Sequence, residues 1–319
     1  MTAKEMVRRA IARDDPPRAP VLFFNRDVQL SDIHGLGCAA AAGFTPARPG
    51  VGEWGYAWAS LDETMGQPST HPLADDAAFA GYRPPDPTAP GRFDHLEAEI
   101  AAHTDRFLLF CLGISGFNQA TFLRGYEQFL LDLSEESPLA TRVLDYVFDF
   151  ENGLIEQLAA YPLDGVKFAD DWGTQQGLMI SPALWRAVFR PRYAEQFARI
   201  HAQGKQVWFH SCGNVHAILG DLIDIGVDVL ELLQPDIFGI ERLAKEFGGR
   251  VCFCCSIDHQ RLAVNGTRAE IFAYARRLKI HLGAPHGGFI GYVEDYPSLG
   301  MDDEHYTWIR EAMTGLSEP

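Results

Sequence analysis

No apolar run in this sequence approaches the roughly 20 residues a membrane-spanning helix needs, which excludes a transmembrane segment. The charged opening Met1-Thr-Ala-Lys-Glu-Met also lacks the apolar centre of a secretory signal, so a cytoplasmic setting is expected. Positive charge is scarce: 27 Lys and Arg stand against 43 Asp and Glu, a formal net charge of −16. Such a surface repels nucleic acid and anionic membranes. Phosphate-cradling glycine loops, nucleophile elbows and dinucleotide fingerprints are absent too, which removes the common nucleotide and serine-hydrolase chemistries. The six cysteines (Cys38, Cys111, Cys212, Cys252, Cys254, Cys255) are too few for a disulfide framework in a chain of 319 residues, and reduced thiols are expected.

Hydrophobic residues make up 47% and charged residues 22%, the mix of an ordinary globular protein. Short apolar strands alternate with amphipathic helices. Val21-Leu-Phe-Phe24 is a buried strand, and residues 30–92 read as an irregular insertion, a cover built around Gly52-Glu-Trp-Gly-Tyr-Ala-Trp58. From residue 96 onward strands are expected at 107–112, 164–169, 206–209, 227–233, 250–255 and 287–292. Helices are expected between them, including 117–133, 140–161 and one capped by Ser181-Pro182. About eight strands with short right-handed crossovers predict one α/β domain over residues 1–319, a (β/α)8 TIM barrel with long N-terminal loop insertions. In that architecture the working groups gather where strands end.

The unusual residues of this chain fall at those ends. In Gln206-Val-Trp-Phe-His210-Ser-Cys212-Gly213-Asn214 a buried strand stops at two metal-ligating types, and the two-residue period puts His210 and Cys212 on one face. Imidazole and thiolate suit Zn²⁺, which in a catalytic site takes three protein ligands. Cys254, Cys255, Glu231 and Glu294 are the candidates for the third. Cys252 and Cys254 share a face and Cys255 takes the other, while Glu231 is a carboxylate in an apolar strand, costly to bury unless paired or bound to metal. Asp170 and Asp171, beside Trp172, are candidate acid-base groups. Asn25, Asp27, Trp172, Gln175 and Gln234 are candidate substrate contacts, and Arg26 reads as a lone cation facing Asp27.

Asp170-Asp-Trp-Gly-Thr-Gln-Gln-Gly, Ser181-Pro-Ala-Leu-Trp, His201-Ala-Gln-Gly, His210-Ser-Cys-Gly-Asn-Val, Leu233-Gln-Pro and Ser256-Ile-Asp-His-Gln, in this order and spacing, resemble the uroporphyrinogen decarboxylase superfamily. The resemblance implies a barrel with its site at the carboxyl end. It also implies one of two activities. Porphyrinogen decarboxylases need no metal and grip substrate carboxylates with arginines after the first strand, where this chain reads Phe24-Asn-Arg-Asp-Val-Gln-Leu. Zinc methyltransferases carry His-x-Cys, matched here by His210 and Cys212, and a cysteine after the last strand, where this chain has Gly291-Tyr-Val-Glu-Asp instead. The expected function is methyl transfer between a small molecule or thiol and a corrinoid carried by a partner protein, with zinc as cofactor. The alternative is a metal-free decarboxylase of a porphyrinogen or other small acid.

Overall fold

A computed structural model of the chain describes residues 1–60, 66–283 and 285–316. Eight parallel strands form a nearly closed barrel: β1 (Val21–Phe24), β2 (Ile33–Gly37), β3 (Phe107–Ile114), β4 (Gly165–Ala169), β5 (Gln206–His210), β6 (Val229–Glu231), β7 (Cys252–Ser256) and β8 (Phe289–Glu294). Hydrogen-bonded ladders run from β1 through β8, β7, β6, β5, β4 and β3 to β2. The helices that matter below are α1 (Ala3–Ala12), α2 (Leu96–Ala102), α3 (Gly116–Arg124), α4 (Tyr126–Ser134), α5 (Pro138–Gln157), α6 (Pro182–Val188) and α7 (Arg190–Ala202). Among the described residues no helix is long and apolar enough to cross a membrane.

Strand residues alternate between two cores. Leu22, Ile33, Phe107, Leu109, Trp208, Val229, Cys252, Cys254, Ile290 and Tyr292 fill the barrel with Val7, Ala10 and Ile11 of α1. Their neighbours Phe23, Phe110, Val166, Phe168, Val207, Phe209, Phe253, Cys255 and Val293 pack outward against the helices. Burial on both faces explains why these strands are unbroken hydrophobic runs. At α1, Thr2 and Glu5 form a reciprocal cap, and Lys4 and Arg8 reach the buried Asp164 at 3.0 and 2.6 Å.

The seam between β1 and β2 is stitched by one backbone bond and by the side chains of Ser31 and Asp32. Asp32 donates its amide to Val21 O (2.9 Å) and accepts the Val21 amide on Oδ2 (2.8 Å), while Ser31 Oγ accepts from Phe23 N (3.1 Å). Arg18 forks onto both Asp32 oxygens.

Three sequence expectations need correction. The stretch 30–92, expected to be irregular, contains β2, whose Ile33-His-Gly-Leu-Gly37 is too short and glycine-rich to announce a strand; residues 61–65 of that stretch lie outside the described residues. The helix expected at 117–133 is two helices, α3 and α4, broken where Gly125 turns with φ of 89°. Arg26 does not face Asp27. Its guanidinium bridges Asp295 (3.0 Å) and Asp303 (2.8 Å) and lies 4.0 Å over the Tyr306 ring, whereas Asp27 pairs with Arg310 at 3.1 Å.

Candidate metal centre

At the carboxyl ends of β4 and β5 two loops meet through glycines. Gly173 donates its amide to Cys212 O (3.2 Å) and Asn214 donates to Thr174 O (2.7 Å). A Cβ on Gly173 or Gly213 would drive into the backbone of the other, and Gly213 has φ of 73°. Both positions therefore require glycine. The contact sets Asp171 beside Cys212, whose amide donates to Asp171 Oδ1 at 2.7 Å. Asn118 at the start of α3 holds the other side by accepting the Asp171 amide.

His210, the last residue of β5, completes the group. Its Nε2 lies 3.6 Å from Cys212 Sγ and 3.4 Å from Asp171 Oδ1, and the three donor atoms all fall within 4.8 Å of one another. An ion bonded tetrahedrally to sulfur at about 2.3 Å and to nitrogen and oxygen at about 2.0–2.1 Å would hold the S and N atoms about 3.5 Å apart and the N and O atoms about 3.4 Å apart. The observed spacings match both. Imidazole, thiolate and carboxylate together suit a borderline-soft divalent ion.

Behind His210 lies Glu231, 1% exposed, with Oε1 3.0 Å from His210 Nδ1. Lys167 Nζ donates to both Glu231 oxygens (2.7 and 2.8 Å) and Trp208 Nε1 to Oε2 (2.6 Å). Burial works to raise the Glu231 carboxyl, but Lys167 and His210 overcome it and bring the pKa down to about 2. The contact of Glu231 with Nδ1 is an ion-pair approach and not an aligned hydrogen bond, and a fixed anion beside Nδ1 favours a proton on that nitrogen, which leaves Nε2 as the donor atom. At Asp171, too, burial opposes charge, and His210 and the Cys212 amide outweigh it, so the carboxyl sits below its ordinary range.

The other sequence candidates separate by position. Asp170 is fully buried and accepts from the amides of Phe117 and Asn118 and from the Tyr193 hydroxyl, which ties α3 and α7 to the site. Glu151 of α5 accepts the Gly116 amide beside it. Trp172, also fully buried, stacks on Phe117 at 4.4 Å and meets Trp185 of α6 edge-on, so it backs the site and does not line the mouth. Gln175 and Gln234 join across the rim at 3.2 Å. Cys254 points into the barrel beside Glu231 but packs with apolar residues, and Cys255 packs outward, turned away from the triad. Glu294 ends β8 in its own cluster, 3.1 Å from His259 Nδ1 and accepting from Tyr292 OH at 2.9 Å. Burial raises Glu294 to about 7 and lowers His259 to about 4. Asn25 lines the mouth with φ of 68°, and Asp27 faces the Arg310 buttress.

Sequence reasoning passed over Asn118 and Lys167. The signal for Lys167 was present: a cation in an apolar strand, of the same parity as Glu231, needs a buried partner. Among the described residues one other group could bring ligand atoms together, His34, Glu99 and His103. There the two imidazoles stack 3.6 Å apart at 9°, so their in-plane lone pairs run parallel and do not converge on one ion.

A methyltransferase from Methanosarcina mazei superposes with a TM-score of 0.75 at 14% identity, over 99% of this chain and 99% of that one. Two sugar epimerases, D-psicose 3-epimerase and a 3-keto-D-glucoside 4-epimerase from E. coli, superpose at TM-scores of 0.42 and 0.40. Their identities are 11% and 14%, over 68% of this chain and 80% and 84% of theirs. No curated protein sequence matches the chain. The family model for uroporphyrinogen decarboxylase (URO-D) matches residues 62–290. Matched over more than two thirds of its length, the chain belongs to the uroporphyrinogen decarboxylase (URO-D) family.

Proposed function

We propose that this protein is a zinc-dependent methyltransferase that moves a methyl group between a small methylated molecule or thiol and a corrinoid carried by a partner protein. The observation that carries the reading is the Asp171–His210–Cys212 group, with donor spacings of 3.4 and 3.6 Å. The likeness of the fold to a methyltransferase supports it. So does the engagement of Arg26 with Asp295 and Asp303, which removes the cation nearest the position where a porphyrinogen decarboxylase would grip carboxylates.

In this reading Asp171, His210 and Cys212 hold the ion. Zinc bound there would lower the pKa of a coordinated thiol or polarise an oxygen. The charge of Glu231 beside Nδ1 favours Nε2 as the free donor atom, and Asn118 and the Cys212 amide keep Asp171 in place. Asp171, with 42% of its side chain exposed against 14% for His210, is the more open of the two to solvent.

Elemental analysis of the purified protein tests the proposal. About one zinc per chain is expected, lost in His210→Ala and in Cys212→Ser and weakened in Asp171→Ala. Absence of stoichiometric zinc, or a metal content indifferent to His210→Ala, defeats it. Demethylation of methylcobalamin in the presence of a thiol then tests the transfer itself.

A further inference from the structure

A cavity of about 320 Å³ opens among β1, β2, β3 and β4, walled by Leu22, Phe24, Val28, Leu109, Cys111 and Lys167. It exists because β2 carries Gly35 at an inward position: a Cβ built there meets nothing nearer than Cys111 Sγ, at 4.0 Å. About 150 Å³ is enough for benzene, so the space holds one ring together with its substituents. Among the described residues Lys167 is the one lysine or arginine in the lining. An ammonium has three N–H donors, and two go to the oxygens of Glu231. Among the described residues the third has no protein acceptor.

The charge of Lys167 is already matched by Glu231. An anion entering this apolar chamber would lose its water without meeting a free counter-charge. It would also enter against the carboxylates of Glu231 and Asp171 and the overall charge of −16. We propose that the chamber binds the small-molecule substrate, and that this substrate is uncharged, mainly apolar, about one ring in size, and carries one oxygen acceptor that takes the third Lys167 N–H. Glu231 links Lys167 to His210, so the ligand lies one carboxylate away from the metal group. The inference deepens the proposed function, since it takes the mouth of the barrel as the reactive site.

Calorimetric titration of the full chain with acetophenone, ethylbenzene and benzoate tests it, because the three share a ring and differ in acceptor and charge. Acetophenone is expected to bind at least tenfold tighter than the other two. Gly35→Leu, which fills the chamber, abolishes that binding while leaving the melting temperature and zinc content unchanged. Val28→Trp, at a half-exposed rim position, does the same from outside should Gly35→Leu fold poorly. Benzoate binding as tightly as acetophenone makes the chamber an anion site and overturns the proposal. Equal binding of ethylbenzene, or binding indifferent to a filled chamber, overturns it as well. Acetophenone binding to a protein that holds no zinc retires the metal reading alone, and zinc without acetophenone binding retires this one alone.

Discussion

Replacing Glu231 with Gln tests how the site is held. The carboxylate is 1% exposed, and its partner Lys167 keeps only 13% of its side chain in contact with solvent. Glu231→Gln preserves the shape and an acceptor for Trp208, but it leaves a buried ammonium without a counter-charge. Removing one member of a buried pair typically costs about 3–5 kcal/mol, whereas replacing both with neutral residues of similar size is close to neutral. Glu231→Gln is therefore expected to lower the unfolding free energy by about 3 kcal/mol, and Glu231→Gln/Lys167→Met to recover at least about 2 kcal/mol of that loss. Urea denaturation of metal-free wild type, both single variants and the double variant closes the cycle, and working without metal keeps a bound ion from adding to stability. The same Gln, no longer an anion at His210 Nδ1, should weaken zinc binding by about 10–100-fold. A single variant within about 0.5 kcal/mol of wild type, or a double variant no more stable than Glu231→Gln, would refute the electrostatic account of this core.

Three further outcomes follow from the geometry. Gly213→Ala should lower zinc affinity and melting temperature while far-UV circular dichroism stays native, because a Cβ there strikes the Gly173 backbone; Gly177→Ala, with nothing within 4 Å, should change neither. Asp32→Ala should cost about 1–3 kcal/mol by leaving the buried Val21 amide without its acceptor, and hydrogen exchange should quicken at Val21 and Phe23 ahead of the amides in β4 to β7. Glu294, raised to about 7 by burial, contributes stability that is complete below the ordinary carboxyl range and is lost as pH rises through 7. The stability difference between wild type and Glu294→Gln should thus shift by at most about 3 kcal/mol between pH 5 and pH 8, and no shift would contradict the burial of this group.

The barrel was legible because most strands, enclosed on both faces, advertise themselves as apolar runs. The two-residue period separated Cys254 from Cys255 within β7, whereas Cys212 lies beyond the end of β5 and comes beside His210 through the loop that follows. β2 escaped because Gly35 and Gly37 remove the side chains that would have marked it. Adjacent Asp170 and Asp171 looked equivalent in the sequence. Their difference arises from partners far along the chain: Tyr193 and the first amides of α3 claim Asp170, whereas the Cys212 amide and Asn118 claim Asp171. No local pattern encodes such assignments, which depend on how the loops after β4 and β5 dock.

The glycine-to-glycine contact between those loops makes the turns that carry Asp171 and Cys212 one mechanical unit. Loosening a distant helix should lower the melting point without splaying the donor atoms. A chemist wishing to build on the Asp171–His210–Cys212 group could therefore redesign the periphery freely, provided the crossing of Gly173 and Gly213 is left bare.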